Sequence, residues 1–120
     1  MGKKTGFKIR DLEKAVKASA DINRVRILNM LRTRKMCVCE IAFVLGISQP
    51  SVSRHLRKLS SAGFIQSEHE GLWTNYYLCP KNAYAENFLK NLVTWMCSDE
   101  TISGDKKKID EANRTNLCCL

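Results

Sequence analysis

The sequence predicts a mainly α-helical fold with a single β-hairpin (α+β). Apolar residues recur at helical spacing over four segments before Gly63 and over one segment after Pro80. Residues 64–78, by contrast, are rich in aromatic and β-branched side chains, which favour strands. With 120 residues, 44% of them apolar and 27% charged, the chain has the size and composition of one globular domain.

The helices before Gly63 carry start and stop signals. Asp21 and Ser48 are good N-caps, and Pro50 stands in a first helical turn, where its missing N–H does no harm. Gly46 suits a helix C-terminus, where positive φ is needed. The four helices are predicted over residues 10–19, from residue 22 to a basic loop at 33–36, over 38–45 and over 49–62.

The hairpin follows Gly63. Its strands are predicted over residues 64–69 and 73–78, with the turn at Glu70 and Gly71. The strands come directly after two helices that are joined by a Gly-containing turn. This order predicts a winged helix-turn-helix, in which the hairpin is the wing.

A last helix is predicted from Pro80 to about Ser98, with two apolar stripes. A small core needs one stripe, so the second predicts a homodimer interface. From Asp99 onward the chain is polar and charged. We therefore assign residues 1–98 to a DNA-binding and dimerisation domain and residues 99–120 to a flexible charged tail. The stripes are Tyr84, Phe88, Leu92 and Trp95, and Leu89, Val93 and Met96.

The net charge predicts binding to nucleic acid, and the absence of signal-like or membrane-spanning stretches predicts a cytoplasmic location. The formal net charge is +8, and residues 1–98 hold all of the positive excess. The lysine-rich start has no apolar core typical of a secretion signal, and no stretch is apolar enough to span a membrane. Without a secretion signal, the six cysteines are expected to be reduced, metal-bound or redox-active rather than a disulfide framework.

The second helix of the helix-turn-helix is the predicted DNA-reading element. Val52, Leu56 and Leu59 recur at helical spacing and should be buried, which turns the opposite face towards the major groove. Gln49 and Arg54 carry donors that read adenine and guanine edges. Serine hydroxyls bond bases or phosphates, and the basic side chains suit phosphates. The predicted DNA contacts are Gln49, Ser51, Ser53, Arg54, His55 and Lys58, with Arg57 as a further phosphate contact.

Several runs resemble the ArsR/SmtB family of winged-helix dimers, which repress metal-resistance operons. The resemblance covers about residues 10 to 98, and it implies that Gln49, Ser53 and Arg54 lie where family members touch DNA. The wing tip departs from the family, because it reads HEGL at residues 69–72 instead of carrying Arg or Lys. The runs are ADINRVRIL (20–28), VCEIA (38–42), GISQPSVSRHL (46–56), AGF (62–64) and GLWTNYYL (71–78).

The run MCVCEI at residues 36–41 resembles the cysteine signature of the arsenic-responsive members of this family. Thiolates select soft ions, so the expected inducers are arsenite and antimonite, or Cd, Pb and Zn, with no permanent cofactor. On a regular helix Cys37 and Cys39 point about 200° apart, so they converge only if the helix start is distorted. The third family cysteine is replaced by Ala42. We expect Cys118 and Cys119 to complete the site, with Cys97 in reserve.

These observations predict a homodimeric repressor that leaves operator DNA when an ion binds its cysteines. The alternative keeps the fold but senses thiol oxidation or persulfide, because Arg34 and Lys35 lie near Cys37 and would favour its thiolate. An enzyme is not expected, since the chain has no phosphate-binding Gly-rich loop, His-containing zinc motif or catalytic triad spacing. Cys79 is expected to have a packing role.

Overall fold

The computed structural model describes residues 8–113 and residue 117. This part of the chain forms six helices and one two-stranded antiparallel sheet, which confirms the mainly helical prediction with one hairpin. The elements are α1 (Ile9–Ser19), α2 (Ile22–Thr33), α3 (Val38–Leu45), α4 (Gln49–Ser61), β1 (Ile65–Glu70), β2 (Trp73–Leu78), α5 (Ala83–Met96) and α6 (Glu100–Glu111).

The signals predicted to start α2, to end α3 and to start α4 act as predicted. The Asp21 carboxylate accepts hydrogen bonds from the first backbone N–H groups of α2, at 2.9 and 3.1 Å. Gly46 ends α3 in the left-handed region, with φ of 71°. Ser48 Oγ then accepts from the N–H of Ser51 at 3.3 Å and starts α4. Only two residues, Ile47 and Ser48, follow Gly46 before α4, which fixes α4 beside α3.

The hairpin turn lies one residue later than predicted. Glu70 belongs to β1 and pairs with Trp73, so the turn residues are Gly71 and Leu72. Gly71 has φ of 62°, a conformation that favours glycine at the first central position of a two-residue turn. The predicted turn at Glu70 and Gly71 was therefore wrong by one position.

A third segment joins the base of the hairpin. Met36 pairs with Tyr76 of β2 through two backbone hydrogen bonds: the Met36 N–H donates to Tyr76 at 3.2 Å, and the Tyr76 N–H donates back at 2.8 Å. Met36 is fully buried. The residue before Cys37 is thus attached to the wing.

Helix α5 begins at Ala83 rather than at Pro80. The backbone of residues 79–81 continues the pairing beside the hairpin, because Cys79 donates to Phe64 at 2.9 Å and Lys81 donates to Gly63 at 2.8 Å. Asn82 then caps the helix by accepting from the Ala85 N–H at 2.8 Å. Leu92, which the sequence placed in one apolar stripe with Tyr84, Phe88 and Trp95, is buried in the core.

Residues 100–111 form a helix where the sequence predicted a flexible tail. Asp99 caps α6 by accepting from the Ile102 N–H at 3.0 Å. Ile102, Asp105 and Ile109 are buried where α6 packs on α2 and α3. Two isoleucines seven positions apart give a weak periodic signal, and the partner of Asp105 lies far away in the sequence. The expectation of a flexible segment is corrected for these residues.

The core lies where α2, α3, α4 and the start of β1 meet. Val52, Leu56 and Leu59 are buried as predicted, so the opposite side of α4 faces outward. Helix α1 buries only Ala15 and Ala18 and packs against α2, α4 and α5. None of the helices in the described ranges combines the length and apolarity required to cross a bilayer.

Candidate DNA-binding surface and cysteine site

The outer face of α4 presents the residues that the sequence predicted to contact DNA. Gln49 and Arg54 are exposed, and Ser51 and Ser53 are half-buried beside them. The Arg54 guanidinium donates to Ser51 Oγ at 3.1 Å, which holds the arginine along the helix surface. Lys58 is exposed one turn further on. Ser51, Arg54 and Lys58 therefore lie on one side of α4 at helical spacing, while Gln49 and Ser53, four positions apart, share a neighbouring side.

His55 is turned towards α2 rather than fully outward. Its Nδ1 lies 3.2 Å from the Arg24 guanidinium, and because arginine only donates, Nδ1 accepts and the ring is neutral. Burial lowers the pKa of His55; nearby Asp21 raises it, while the charges of Arg24, Arg54 and Lys58 lower it further. His55 thus joins α4 to α2 through Nδ1.

Arg24 is held in place from several sides. Its Nε donates to the Ala18 carbonyl at 2.7 Å, and another nitrogen donates to the Lys17 carbonyl at 3.3 Å. Its guanidinium also lies 4.0 Å from Asp21. Arg24 therefore links the end of α1 to α2 and α4.

A basic cleft lies beside α4, and the sequence predicted only part of it. The cleft has a volume of about 520 Å³ and lies between α1 and α4. Lys14 and Lys17 were not identified from the sequence as binding residues, although their spacing of three puts them on one side of α1. That spacing was the available signal. The charged lining residues are Lys14, Lys17, Arg24, Arg54, Arg57 and Lys58.

The wing carries little free positive charge. At its tip Leu72 is 81% exposed, and His69 Nδ1 lies 3.2 Å from the Thr74 hydroxyl. The Lys35 ammonium is paired with Glu68 at 2.6 Å. This arrangement agrees with the acidic and apolar tip noted in the sequence.

Cys37 is the N-cap residue of α3. Its backbone is extended (φ −94°, ψ 170°), so the two cysteines are not both inside a regular helix. Its N–H donates to Glu40 Oε1 at 3.0 Å, and its sulfur accepts from the N–H of Glu40, which forms a capping box. Cys37 is buried and Cys39 is half-buried. Cys39 is disulfide-bonded in the structure, so a thiolate ligand at this position requires reduced protein.

Arg34 connects the cysteine segment to α6. It donates to Glu40 Oε2 at 3.0 Å and to the Ile109 carbonyl, near the end of α6, at 3.2 Å. Cys118 and Cys119 lie outside the described residues. Within residues 8–113 and at residue 117, no three His, Cys, Asp or Glu side chains gather as a metal-binding group.

The remaining cysteines do not join this site. Cys79 is a half-buried free thiol before α5, and Cys97 is an exposed free thiol that caps the end of α5. Cys97 lies in a separate cleft with residues of α2 and α6.

Comparison with known proteins identifies the family. Residues 21–67 match the family described as "Bacterial regulatory protein, arsR family". The chain is 35% identical to the arsenic resistance transcriptional regulator ArsR1 of Pseudomonas putida, over 79% of this chain and 74% of that protein. It is 30% identical to the arsenical resistance operon repressor of Escherichia coli, over 85% of this chain and 91% of that protein.

A solved structure shows the same fold. The homodimeric winged helix-turn-helix DNA-binding domain Mb0332 of Mycobacterium bovis superposes with a TM-score of 0.64 at 21% identity, over 77% of this chain and 83% of that one. The winged helix-turn-helix prediction is therefore confirmed. The chain belongs to the ArsR family, whose members are transcriptional regulators and not enzymes.

Proposed function

We propose that this chain is a homodimeric repressor that holds operator DNA in the cytoplasm and releases it when arsenite or antimonite binds cysteine thiolates. The observation that carries the proposal is the position of Cys37. It begins α3, and α3 leads through Gly46 directly into α4. A change at Cys37 therefore acts at the start of the helix-turn-helix.

Ion binding competes with the cap of α3. Coordination of Cys37 and Cys39 by one ion needs both sulfurs on the same side, whereas the Cys37 sulfur accepts from the backbone N–H of Glu40 at the start of α3. Drawing them together disturbs the capping box between Cys37 and Glu40. Loss of a helix cap costs about 1 kcal/mol, a fair share of the roughly 1–3 kcal/mol of a typical allosteric coupling. The DNA-bound and ion-bound conformations then differ in the way α3 supports α4.

Cys118 and Cys119 are the proposed source of the remaining ligand. The contact between Arg34 and the Ile109 carbonyl fixes the end of α6 near the segment that precedes Cys37. Cys118 is six positions after Ala112 in the sequence, and a chain of that length spans at most about 20 Å. This reach supports a third thiolate from the same protomer or from its partner. Cadmium, lead and zinc are alternative ions for the same sulfur ligands.

Exposed apolar residues on α1 and α5 support the homodimer. Trp95 is 56% exposed at the end of a row in which Tyr84 stacks on Phe88 and Phe88 meets Trp95 edge-on. Val16 and Ile9 on α1 are also exposed. A second protomer would cover this surface and place two α4 helices on a two-fold operator.

The test measures release of DNA by arsenite. A duplex selected from a random-sequence library is labelled, and its binding to fully reduced protein is followed by fluorescence anisotropy during arsenite titration. A phosphine reductant is used, because dithiols bind arsenite themselves. Release at stoichiometric arsenite supports the proposal, and unchanged binding at saturating arsenite overturns it.

Thiol oxidation is the second candidate signal, favoured by the disulfide at Cys39. The neighbouring cations are partly compensated, since Arg34 pairs with Glu40 and Lys35 with Glu68. Titration of reduced protein with peroxide or a persulfide donor distinguishes the two signals. Release by the oxidant but not by arsenite would replace the ion-sensing proposal with the redox one.

A further inference from the structure

The basic cleft between α1 and α4 concentrates positive charge around a common space. Each helix contributes at helical spacing: Lys14 and Lys17 from α1, and Arg54, Arg57 and Lys58 from α4. Arg24 of α2 also lines the cleft. The other lining residues are small and uncharged, and no acidic side chain is among them.

Most of this charge has no acidic partner. Lys17 lies 3.4 Å from Glu13 in a solvent-exposed pair, which contributes little, and Arg24 lies 4.0 Å from Asp21. Within residues 8–113, the remaining four cations of the cleft form no ion pair with a carboxylate. They are Lys14, Arg54, Arg57 and Lys58. Burial is the main cause that lowers the pKa of His55 beside the cleft; nearby Asp21 raises it, and the charges of Arg24, Arg54 and Lys58 lower it further.

Facing rows of like charge are unfavourable for folding unless an anion binds between them. The position of the cleft indicates which anion. Arg54 belongs both to the cleft and to the outer face of α4 that carries Gln49. From Gln49 to Lys58 the helix rises about 13 Å, close to the roughly 12 Å width of the major groove. A helix whose first turn reads bases therefore brings its other end to the phosphate backbone.

We propose that this cleft binds a backbone phosphate of the DNA that flanks the bases contacted by α4, with Lys14 and Lys17 supplying contacts from α1. The inference rests on the proposed DNA-binding function and extends the contact surface to a helix outside the helix-turn-helix. Phosphate contacts are independent of base sequence, so the cleft contributes affinity and register rather than specificity.

The test removes the two lysines and follows the salt dependence of binding. The variant is Lys14→Gln, Lys17→Gln. The control is Lys107→Gln, Lys108→Gln, which removes the same charge from the exposed side of α6. Probes are a 40-base-pair random-sequence duplex and a selected operator of the same length.

The cleft variant is expected to bind both duplexes about tenfold or more weakly at 0.1 M salt. The slope of log K against log salt should fall by about one per lost contact in each protomer. Lys14→Arg, Lys17→Arg should restore most of the slope, which excludes misfolding as the cause. A cleft variant with the same slope as the control overturns the proposal.

A shorter operator and inorganic phosphate complete the experiment. On a duplex trimmed to the bases beneath the two α4 helices, the wild-type and cleft-variant proteins should bind equally. Chemical-shift changes at the cleft with inorganic phosphate, together with an unchanged DNA salt slope, would assign the cleft to a free anion and overturn the DNA proposal. Gln49→Ala tests the underlying function separately, because it should weaken binding to the selected operator alone. If no protein distinguishes the operator from random DNA, the proposed function fails instead.

Discussion

The Arg26 guanidinium of α2 donates two hydrogen bonds, of 2.9 and 2.8 Å, to the two carboxylate oxygens of Asp105 in α6. The Asp105 side chain is only 4% exposed, and its hydrogen bond is the main cause that raises the pKa of Arg26. A buried bidentate pair of this kind fixes orientation as well as distance. It attaches α6, which the sequence did not predict, to the centre of the fold.

Asp105→Ala should lower the free energy of unfolding by about 3 kcal/mol, because it leaves the Arg26 charge partly buried without its partner. Chemical denaturation measures the change. The control is Glu86→Ala, which breaks an exposed pair with Lys90 at 3.9 Å and should cost less than about 0.5 kcal/mol. Equal effects of the two substitutions would show that α6 contributes nothing through this pair.

His55 should make stability dependent on pH below neutrality. Because its pKa in the folded protein lies below the unfolded value of 6.5, the unfolded chain takes up the proton first. Stability is therefore lost as the pH falls through 6.5. In His55→Asn the amide oxygen can still accept from Arg24 but does not titrate.

Denaturation at pH 7.5 and 5.5 should show a larger loss for the wild type than for His55→Asn. Burial raises the pKa of Asp21, but the backbone N–H groups of Arg24 and Asn23 and the charges of Arg24 and His55 lower it overall, so Asp21 stays ionised over this range. The same pH dependence in both proteins would contradict the contact with Arg24.

Arg54→Ala should weaken operator binding by about 1–3 kcal/mol and relax specificity at one base position. Competition with single-base operator variants measures both effects. An equal loss on random-sequence DNA would assign Arg54 to phosphate contact alone.

Cys37→Ser or Cys39→Ser should leave operator binding intact and abolish release by arsenite. Serine suits the N-cap position of Cys37, since its hydroxyl accepts from the same helix N–H. Cys118→Ser, Cys119→Ser should still respond, at higher arsenite. If the Cys118→Ser, Cys119→Ser variant does not release DNA with arsenite while Cys39→Ser releases it normally, the ion-binding site lies elsewhere, and Cys97 is the next candidate ligand.

Trp95→Glu should convert the protein to a monomer at micromolar concentration, because burial of an uncompensated charge opposes association. Sedimentation velocity measures this. Thr101→Glu, at an exposed position in the first turn of α6, is the matched control and should remain a dimer. A dimeric Trp95→Glu protein would move the interface away from this row.

The features that were predicted correctly depend on local sequence. Asp21, Gly46 and Ser48 act within one helical turn of their own position, so their residue type is sufficient evidence. The hairpin turn was misplaced by one residue because the pair Glu70 and Gly71 suits a turn as well as the pair Gly71 and Leu72 does. Only the pairing of Glu70 with Trp73 decides the position.

The features that were missed depend on contacts between distant segments. In the sequence alone Lys14 looks like a solvated residue, and only the packing of α1 beside α4 places it in the cleft. Arg34 likewise looks like part of a basic loop, and only the fold brings it into contact with Glu40 and Ile109. Helix propensity does not contain this information. The cleft and the connection from α6 to α3 therefore needed the structure.

The bridge between Met36 and Tyr76 makes the order of the wing depend on a segment outside the hairpin. A hairpin of two strands alone is marginally stable in water, and a third strand or a packed face is needed to keep it ordered. Here part of that support comes from the residue next to Cys37, through two backbone bonds that no side-chain substitution other than proline removes. The order of the wing is thus a property of the segment that carries the thiols as much as of the wing itself.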